Sequence, residues 1–318
     1  MPIQPATPET FATASSALIA GRLVAFPTET VYGLGALATD SNAVASIFET
    51  KARPQLNPLI VHVANQVGAT KLARFSDDAR KLADAFWPGP LTLVLEMLPT
   101  AGLSPLVTAG NDTVAIRVPA HPVAQQLLAE LAQPIAAPSA NKSGHVSPTT
   151  AAHVHGDLGT AVAHIIDGGA TTLGLESTIV DVSQATPILL RPGSITPAML
   201  SKVLGQDIAV ANKTTKTPNA PGQLASHYAP RAKIRLNAKH INPGEALLAF
   251  GRPPNETPDL MVNLSENGDL VEAAANLFAA LRELDAQRPE IIAVMSIPPD
   301  GLGIAINDRL ARAAAPRP

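Results

Sequence analysis

Short strand-like runs alternate with helix-like stretches along most of this chain, and that alternation narrows the fold more than any other feature. RLVAF (22–26), LIVHVA (59–64), LTLVLEM (91–97), TVAIRV (113–118), HIID (164–167), STIVDV (177–182) and ILLR (188–191) are apolar runs of strand length. Between them, apolar residues recur at helical spacing over 41–50, 76–86 and 121–132. Thr7-Pro8-Glu9 reads as an N-cap, a proline at the first helical position and an early acid, opening a helix that closes at Gly21. Such interleaving predicts an α/β domain. Near residue 205 the texture turns polar, rich in Lys, Thr, Asn and Pro, which reads as a linker. Beyond it, ALLAF (246–250), LMVNL (260–264) and IIAVMS (291–296) are strand candidates, with helices expected over 269–286 and 307–315. The expected organisation is a first domain over 1–205, a linker over 206–231 and a smaller α/β domain over 232–318.

Composition removes several classes. The chain has no cysteine, which excludes disulfides, thiolate metal sites and cysteine nucleophiles. A net charge of −3 with 15% charged residues gives no overall footprint for nucleic acid or an anionic membrane. Its 46% hydrophobic residues suffice for a substantial core. Prolines are 30 of 318 residues, about 9% against an average near 5%, and are spread so as to punctuate a folded chain. No cation precedes Arg22, and no apolar run approaches the ~20 residues of a membrane span, so a cytoplasmic protein without a membrane partner is expected.

Several stretches carry polar groups that local structure does not require. PTETVYGLGALATD (27–40) formally matches G-x-G-x-x-A. Its glycines stand six residues after the preceding strand, and the next helix begins only near 41, so the dinucleotide reading is poor. It reads as a tight loop whose Thr28, Thr30 and Tyr32 hydroxyls face a polar ligand, or as turn glycines alone. In KARPQLNPLIVHV (51–63), Lys51 and Arg53 either complement a helix C-terminus or, stiffened by Pro54 and Pro58, are aimed at a polyphosphate. Strand alternation sends Thr113, Ala115 and Arg117 to one face, where the guanidinium needs a protein or a ligand carboxylate. Ser139, Asn141, Ser143, Ser147 and Thr149 follow a strand end, as suits either a loop binding phosphate or sugar oxygens or an ordinary turn. Ser177 and Thr178 stand at a strand entrance, and Arg191 precedes a turn. HVHGD (153–157) offers too few ligands for a metal and reads as surface residues, while His62 is a core histidine or a ligand contact.

Taken in order and spacing, PTETVYGLG, KARPxxxPL, AIRVP, PSANKSGxxSPT, ESTIVDV and LRPG resemble the YrdC-like family of threonylcarbamoyl-AMP synthases over residues 10–200. PGQLASHYAP (221–230) and GLGIAINDRLARAA (301–314) resemble the long form, in which a linker joins a C-terminal domain. The resemblance implies a twisted mixed β-sheet with an open concave cleft, plus a smaller Rossmann-like α/β domain. It implies a nucleotidyltransferase that turns L-threonine, bicarbonate and ATP, with Mg²⁺ carried on the ATP, into threonylcarbamoyl-adenylate and pyrophosphate. The product would pass to a tRNA threonylcarbamoyl transferase, with weak direct contact to tRNA, for the adenosine beside the anticodon of tRNAs reading ANN codons. Carried onto this sequence, the family pattern sets threonine against Thr30, His62, Arg117, the Ala137 backbone and Ser177. It sets ATP against Lys51, Arg53, Asn57, Thr113, Ser139, Asn141, Ser147, Arg191 and Tyr228, with Lys51 and Arg53 free of protein partners and acting on the phosphates. No protein side chain is expected to ligate a metal. Closure of the 215–230 segment over ATP is a further expectation. Two readings stay open beside it: a threonine or nucleotide sensor without turnover, and an RNA-binding module. A carbamoyl-transferring domain of the hydrogenase-maturation type is excluded by the missing zinc-finger cysteines.

Overall fold

A computed structural model describes residues 3–54, 57–211 and 226–316. Most of the expected linker, 212–225, therefore lies outside the described residues. Strands β1 (Ile3–Pro5), β2 (Val24–Phe26), β3 (Gly33–Leu37), β4 (Ile60–His62), β5 (Leu91–Glu96), β6 (Thr113–Arg117), β7 (Ile135–Ala136), β8 (His164–Asp167), β9 (Thr178–Asp181), β10 (Ile188–Arg191) and β11 (Ala209–Val210) form one sheet. Its order is β1-β8-β2-β3-β7-β4-β6-β5-β9-β10-β11, and its pairing is mixed, as the family resemblance implied. A second sheet, ordered β12-β15-β13-β14, contains β12 (Lys233–Arg235), β13 (Ala246–Ala249), β14 (Met261–Asn263) and β15 (Ile291–Val294), all parallel.

Helices α1 (Pro8–Ile19), α2 (Ser41–Lys51), α3 (Gln66–Thr70), α4 (Asp77–Phe86), α5 (Pro105–Thr108), α6 (Pro122–Leu131), α7 (Ala151–Leu158) and α8 (Pro197–Leu204) belong to the large sheet; α9 (Leu270–Ala286) and α10 (Gly303–Ala314) pack with the small one. Their starts follow local chemistry. Thr7 accepts from the Thr10 amide at 3.3 Å, Ser76 from Ala79 at 3.2 Å, and Asp269 from Val271 at 2.6 Å, each satisfying an orphan donor of a first turn. No helix among the described residues is long and apolar enough to cross a membrane.

Two local expectations need correction. GLGAL is strand β3, antiparallel to β2, instead of part of a loop. A side chain at Gly35 would stand 2.9 Å from both Ile135 and Phe26, so close packing requires the glycine that made the stretch look like a turn. Within the stretch read as linker, Ala209–Val210 instead extends the large sheet alongside β10.

The large sheet uses its two faces differently. Val61, Ile116, Leu93 and Val180 point into the main core. Register places Ile60 beside Ala115 and His62 beside Arg117, while Thr92 stands opposite Arg117 and beside Ile179. These residues share the other face, where Ile60, Val94, Ala115 and Ile179 form a small apolar cluster. That face is the floor of the candidate site.

Candidate active site

The floor is walled by loops to make a cleft that is partly open to solvent. Thr30, Arg53, His62, Arg117, Ala137, Ser139, Ser177, Arg191 and Tyr228 line it. Lys51, Asn57 and Asn141 sit just behind the wall, linked to it through Arg53 and the Ser139–Asn141 carbonyls. Ser147 touches the wall residue Glu176, whereas Thr113 opens β6 opposite Glu96 and is not among the lining residues.

At one end stands Arg117, 3% exposed, and it has the protein carboxylate that sequence left open. Its Nη2 is 2.6 Å from Glu29 Oε1, Nη1 donates to Thr30 Oγ1 at 2.8 Å and Nε to the Gly89 carbonyl at 3.3 Å. Burial raises the Glu29 carboxyl, but the Arg117 charge and hydrogen bonds outweigh it, holding the group below its usual value. Thr28 shapes the loop by donating to the Val31 carbonyl at 2.7 Å. Tyr32 does not face the cleft as expected: its hydroxyl donates to the Gly169 carbonyl at 2.7 Å, and burial pushes it up to about 12.

The other end is cationic. Helix α2 ends in left-handed Ala52 (φ 48°), which turns Lys51 and Arg53 inward. The Lys51 ammonium is not spent on its own helix end. It donates to the carbonyls of Ser139, at 2.6 Å, and Asn141. Arg53 donates to the carbonyls of Asn57 at 3.3 Å and Pro58 at 3.1 Å. Both cations thus have protein partners, contrary to expectation, but those partners are neutral carbonyls. Arg191 donates to the Ser177 carbonyl at 3.0 Å and its hydroxyl at 3.2 Å, and that hydroxyl pairs with Thr92 at 2.7 Å. Among the described residues none of these three cations forms an ion pair with a carboxylate. Burial first, with Arg53 adding, pulls the Lys51 pKa down; burial brings Arg53 to about 10, which leaves it charged at neutral pH.

Unsatisfied polar atoms gather here. Among the described residues, both amide atoms of Asn57, Asn141 Oδ1, His62 Nδ1 and His227 Nδ1 are buried without hydrogen-bond partners. Buried polar groups are normally paired, so a cluster of exceptions beside uncompensated cations suits a polar anion. Sequence reasoning assigned no role to Glu29, Glu176, His227 or Arg309, although each stands inside a quoted motif. HVHGD holds no metal cluster, and none is formed among the described residues. His155 is exposed, as expected of a surface residue, but two other members are engaged: Asp157 pairs with Arg282 at 2.5 Å, and His153 contacts Thr149 at 3.3 Å.

His62 gives the site a pH signature. Burial, then the adjacent Arg117 charge, lowers its pKa from 6.5 to about 3. Below pH 6.5 the unfolded chain takes up a proton here that the fold refuses until about pH 3. Stability is therefore expected to fall as pH drops through that window, by about 1.4 kcal/mol per pH unit for this histidine. Urea unfolding of His62→Gln should show a correspondingly shallower dependence, and an unchanged slope would refute the assignment.

Similar proteins carry the same arrangement of parts. Residues 16–193 match the Sua5/YciO/YrdC family model, described as telomere recombination, and residues 195–315 match the C-terminal domain of threonylcarbamoyl-AMP synthase. The threonylcarbamoyl-AMP synthase of Pyrococcus abyssi is 43% identical, aligned over 93% of this chain and 92% of its own. That of Bacillus subtilis is 41% identical over 96% and 93%. The crystal structure of P. abyssi Sua5 complexed with L-threonine superposes with a TM-score of 0.91 at 38% identity, covering 99% of this chain and 98% of that one. Escherichia coli YciO shares the fold of the first part, at TM-score 0.52 and 23% identity over 60% of this chain. On these matches, which run nearly end to end, the chain belongs to the Sua5/YrdC family of threonylcarbamoyl-AMP synthases.

Proposed function

We propose that this enzyme joins L-threonine, bicarbonate and ATP into threonylcarbamoyl-adenylate and pyrophosphate, acting in the cytoplasm as a nucleotidyltransferase. The observation that carries the reading is one cleft with two unlike ends: an arginine flanked by Thr30 and His62, and a group of cations with no carboxylate partner among the described residues. Threonine would lie at the first end, its carboxylate on Arg117 and its polar groups within reach of Thr30, His62, Ser177 and the Ala137 backbone. ATP would lie along the second, its phosphates on Lys51, Arg53 and Arg191, with Mg²⁺ arriving as the ATP complex. Ser139, Asn141, Ser147, Asn57, Thr113 and Tyr228 complete the assigned nucleotide contacts.

The chemistry follows from charge. The threonine amine captures the carbon of bicarbonate with loss of water, giving a carbamate. One carbamate oxygen forms a bond to the ATP α-phosphorus as the bond to the pyrophosphate oxygen breaks. Such displacements gain most from positioning and from neutralising developing negative charge. His62, with its pKa near 3, is too weak a base to hold the amine proton at neutral pH, so its role is hydrogen bonding. The labile adenylate is then passed to a tRNA threonylcarbamoyl transferase. The 215–225 part of the closing segment lies outside the described residues, while Tyr228 is buried against the C-terminal part of the chain.

The test is pyrophosphate release from Mg²⁺-ATP with threonine and bicarbonate each supplied or omitted. Release requiring both is the expected result. Binding of both ligands without release under any combination would leave a sensor in place of a synthase.

A further inference from the structure

Helices α9 and α10 meet the loops at the nucleotide end of the cleft. The apolar cluster of the C-terminal part takes in Val31, Val146, Leu175 and Tyr228 from the cleft loops and linker end. Gly174, at φ +67°, packs so tightly on α9 that a side chain there would stand 2.3 Å from the Ala275 carbonyl. From α9, Arg282 reaches Asp157 and donates to the Ser147 carbonyl at 3.3 Å. From α10, Arg309 goes deeper.

Arg309 is fully buried. Its Nε donates to Glu176 Oε2 at 2.8 Å and its Nη1 to Asp308 Oδ2 at 2.9 Å. The guanidinium lies 5.2 Å from the Tyr228 ring centroid, and that ring stacks on Phe278 at 5.5 Å. Tyr228 itself has φ +63°, a conformation a tyrosine keeps only when its surroundings impose it. Glu176 is the one carboxylate among the described residues that line the cleft, and its Oε1 accepts from Ser147 Oγ at 2.5 Å. A bare carboxylate in that wall would repel a triphosphate and compete with it for Arg191. As mere glue between two parts of a chain, a buried arginine is a poor choice, since apolar residues of similar volume hold as well without desolvating a charge.

We propose that Arg309 is a positioning residue for the nucleotide end of the site: it neutralises and fixes Glu176, thereby holding Ser147, and clamps the Tyr228 ring, so that Arg53 and Arg191 stay turned to the phosphates. The C-terminal part of the chain thus completes the nucleotide pocket. This rests on the reading that ATP occupies that end of the cleft.

Calorimetry with Mg²⁺ and α,β-methylene-ATP, beside calorimetry with L-threonine, tests it on the full chain. Arg309→Met is expected to weaken the nucleotide analogue about tenfold while threonine affinity stays within about twofold. Adding Glu176→Gln to that variant should restore most of the lost affinity, because the repelling charge is gone while the amide oxygen still accepts from Ser147. A role confined to holding the chain together predicts no such rescue. Arg309→Lys guards against a misfolded methionine variant: one ammonium cannot serve Glu176, Asp308 and the Tyr228 ring together, so about threefold weakening is expected. Arg235→Met breaks an ion pair within the small sheet, Arg235 to Glu245 at 2.5 Å, and should cost stability without moving either affinity. Unchanged analogue binding in both Arg309 variants, equal loss of both ligands, or failure of the Gln rescue would overturn the proposal. If the unaltered protein bound threonine but not the analogue, the nucleotide reading itself would fall with it.

Discussion

Arg117→Ala is expected to destabilise the protein by about 3–5 kcal/mol and to abolish threonine binding. The size comes from what remains behind. Glu29 is 8% exposed, and its charge is held in place by the guanidinium 2.6 Å away. With that partner gone, burial is the dominant influence on the carboxyl and drives its pKa above the unfolded value of 4.5. The sign is then fixed: in the variant Glu29 adds stability only while protonated, so the deficit against the parent protein shrinks as pH falls through 4.5 and grows above it. Glu29→Gln/Arg117→Met removes both charges, keeps an acceptor for the Ala120 amide, and should regain most of the stability with no recovery of threonine binding. Urea unfolding and threonine calorimetry on the two variants separate the roles. Threonine binding by the double variant would show that Arg117 is a structural ion pair and nothing more.

Arg53→Ala should behave in the opposite way, with a large kinetic effect and a small structural one. Its contacts are two carbonyls, so no buried anion is stranded when it goes. Its removal also eases the repulsion it exerts on Lys51 and His227. By analogy with the loss of one preorganised donor at a developing charge, kcat/KM for ATP is expected to fall ~10²–10³-fold. Threonine affinity and the urea midpoint should stay close to those of the parent. An unaltered ATP dependence of pyrophosphate release would remove Arg53 from the phosphate site, and a matching loss of threonine affinity would place it at the wrong end of the cleft.

Local elements and one side of the cleft can be read from the residues in order. HIID and ILLR are strands β8 and β10 residue for residue, and Thr7, Ser76 and Asp269 cap the helices they precede. Alternation in TVAIR was enough to show that Arg117 needs an anion. These features depend on period, branching and capping, which act between residues a few positions apart. Which partners meet is set by the folded chain. Lys51 finds its carbonyl on Ser139, 88 residues on, and Glu176 is matched by Arg309, 133 residues on. Glu29, inside a motif read for its threonines, is the counter-charge of Arg117, 88 positions away and brought close by the β4–β6–β5 register and the loop that follows β2. GLGAL was misread because glycine is rare in strands, and only the closeness of Ile135 and Phe26 shows why it is needed in this one. Charge and hydrogen-bonding capacity are written in each residue type. Whether a buried cation faces a carboxylate, a carbonyl or a ligand depends on distances of a few ångströms between segments far apart in sequence, which the folded chain alone sets.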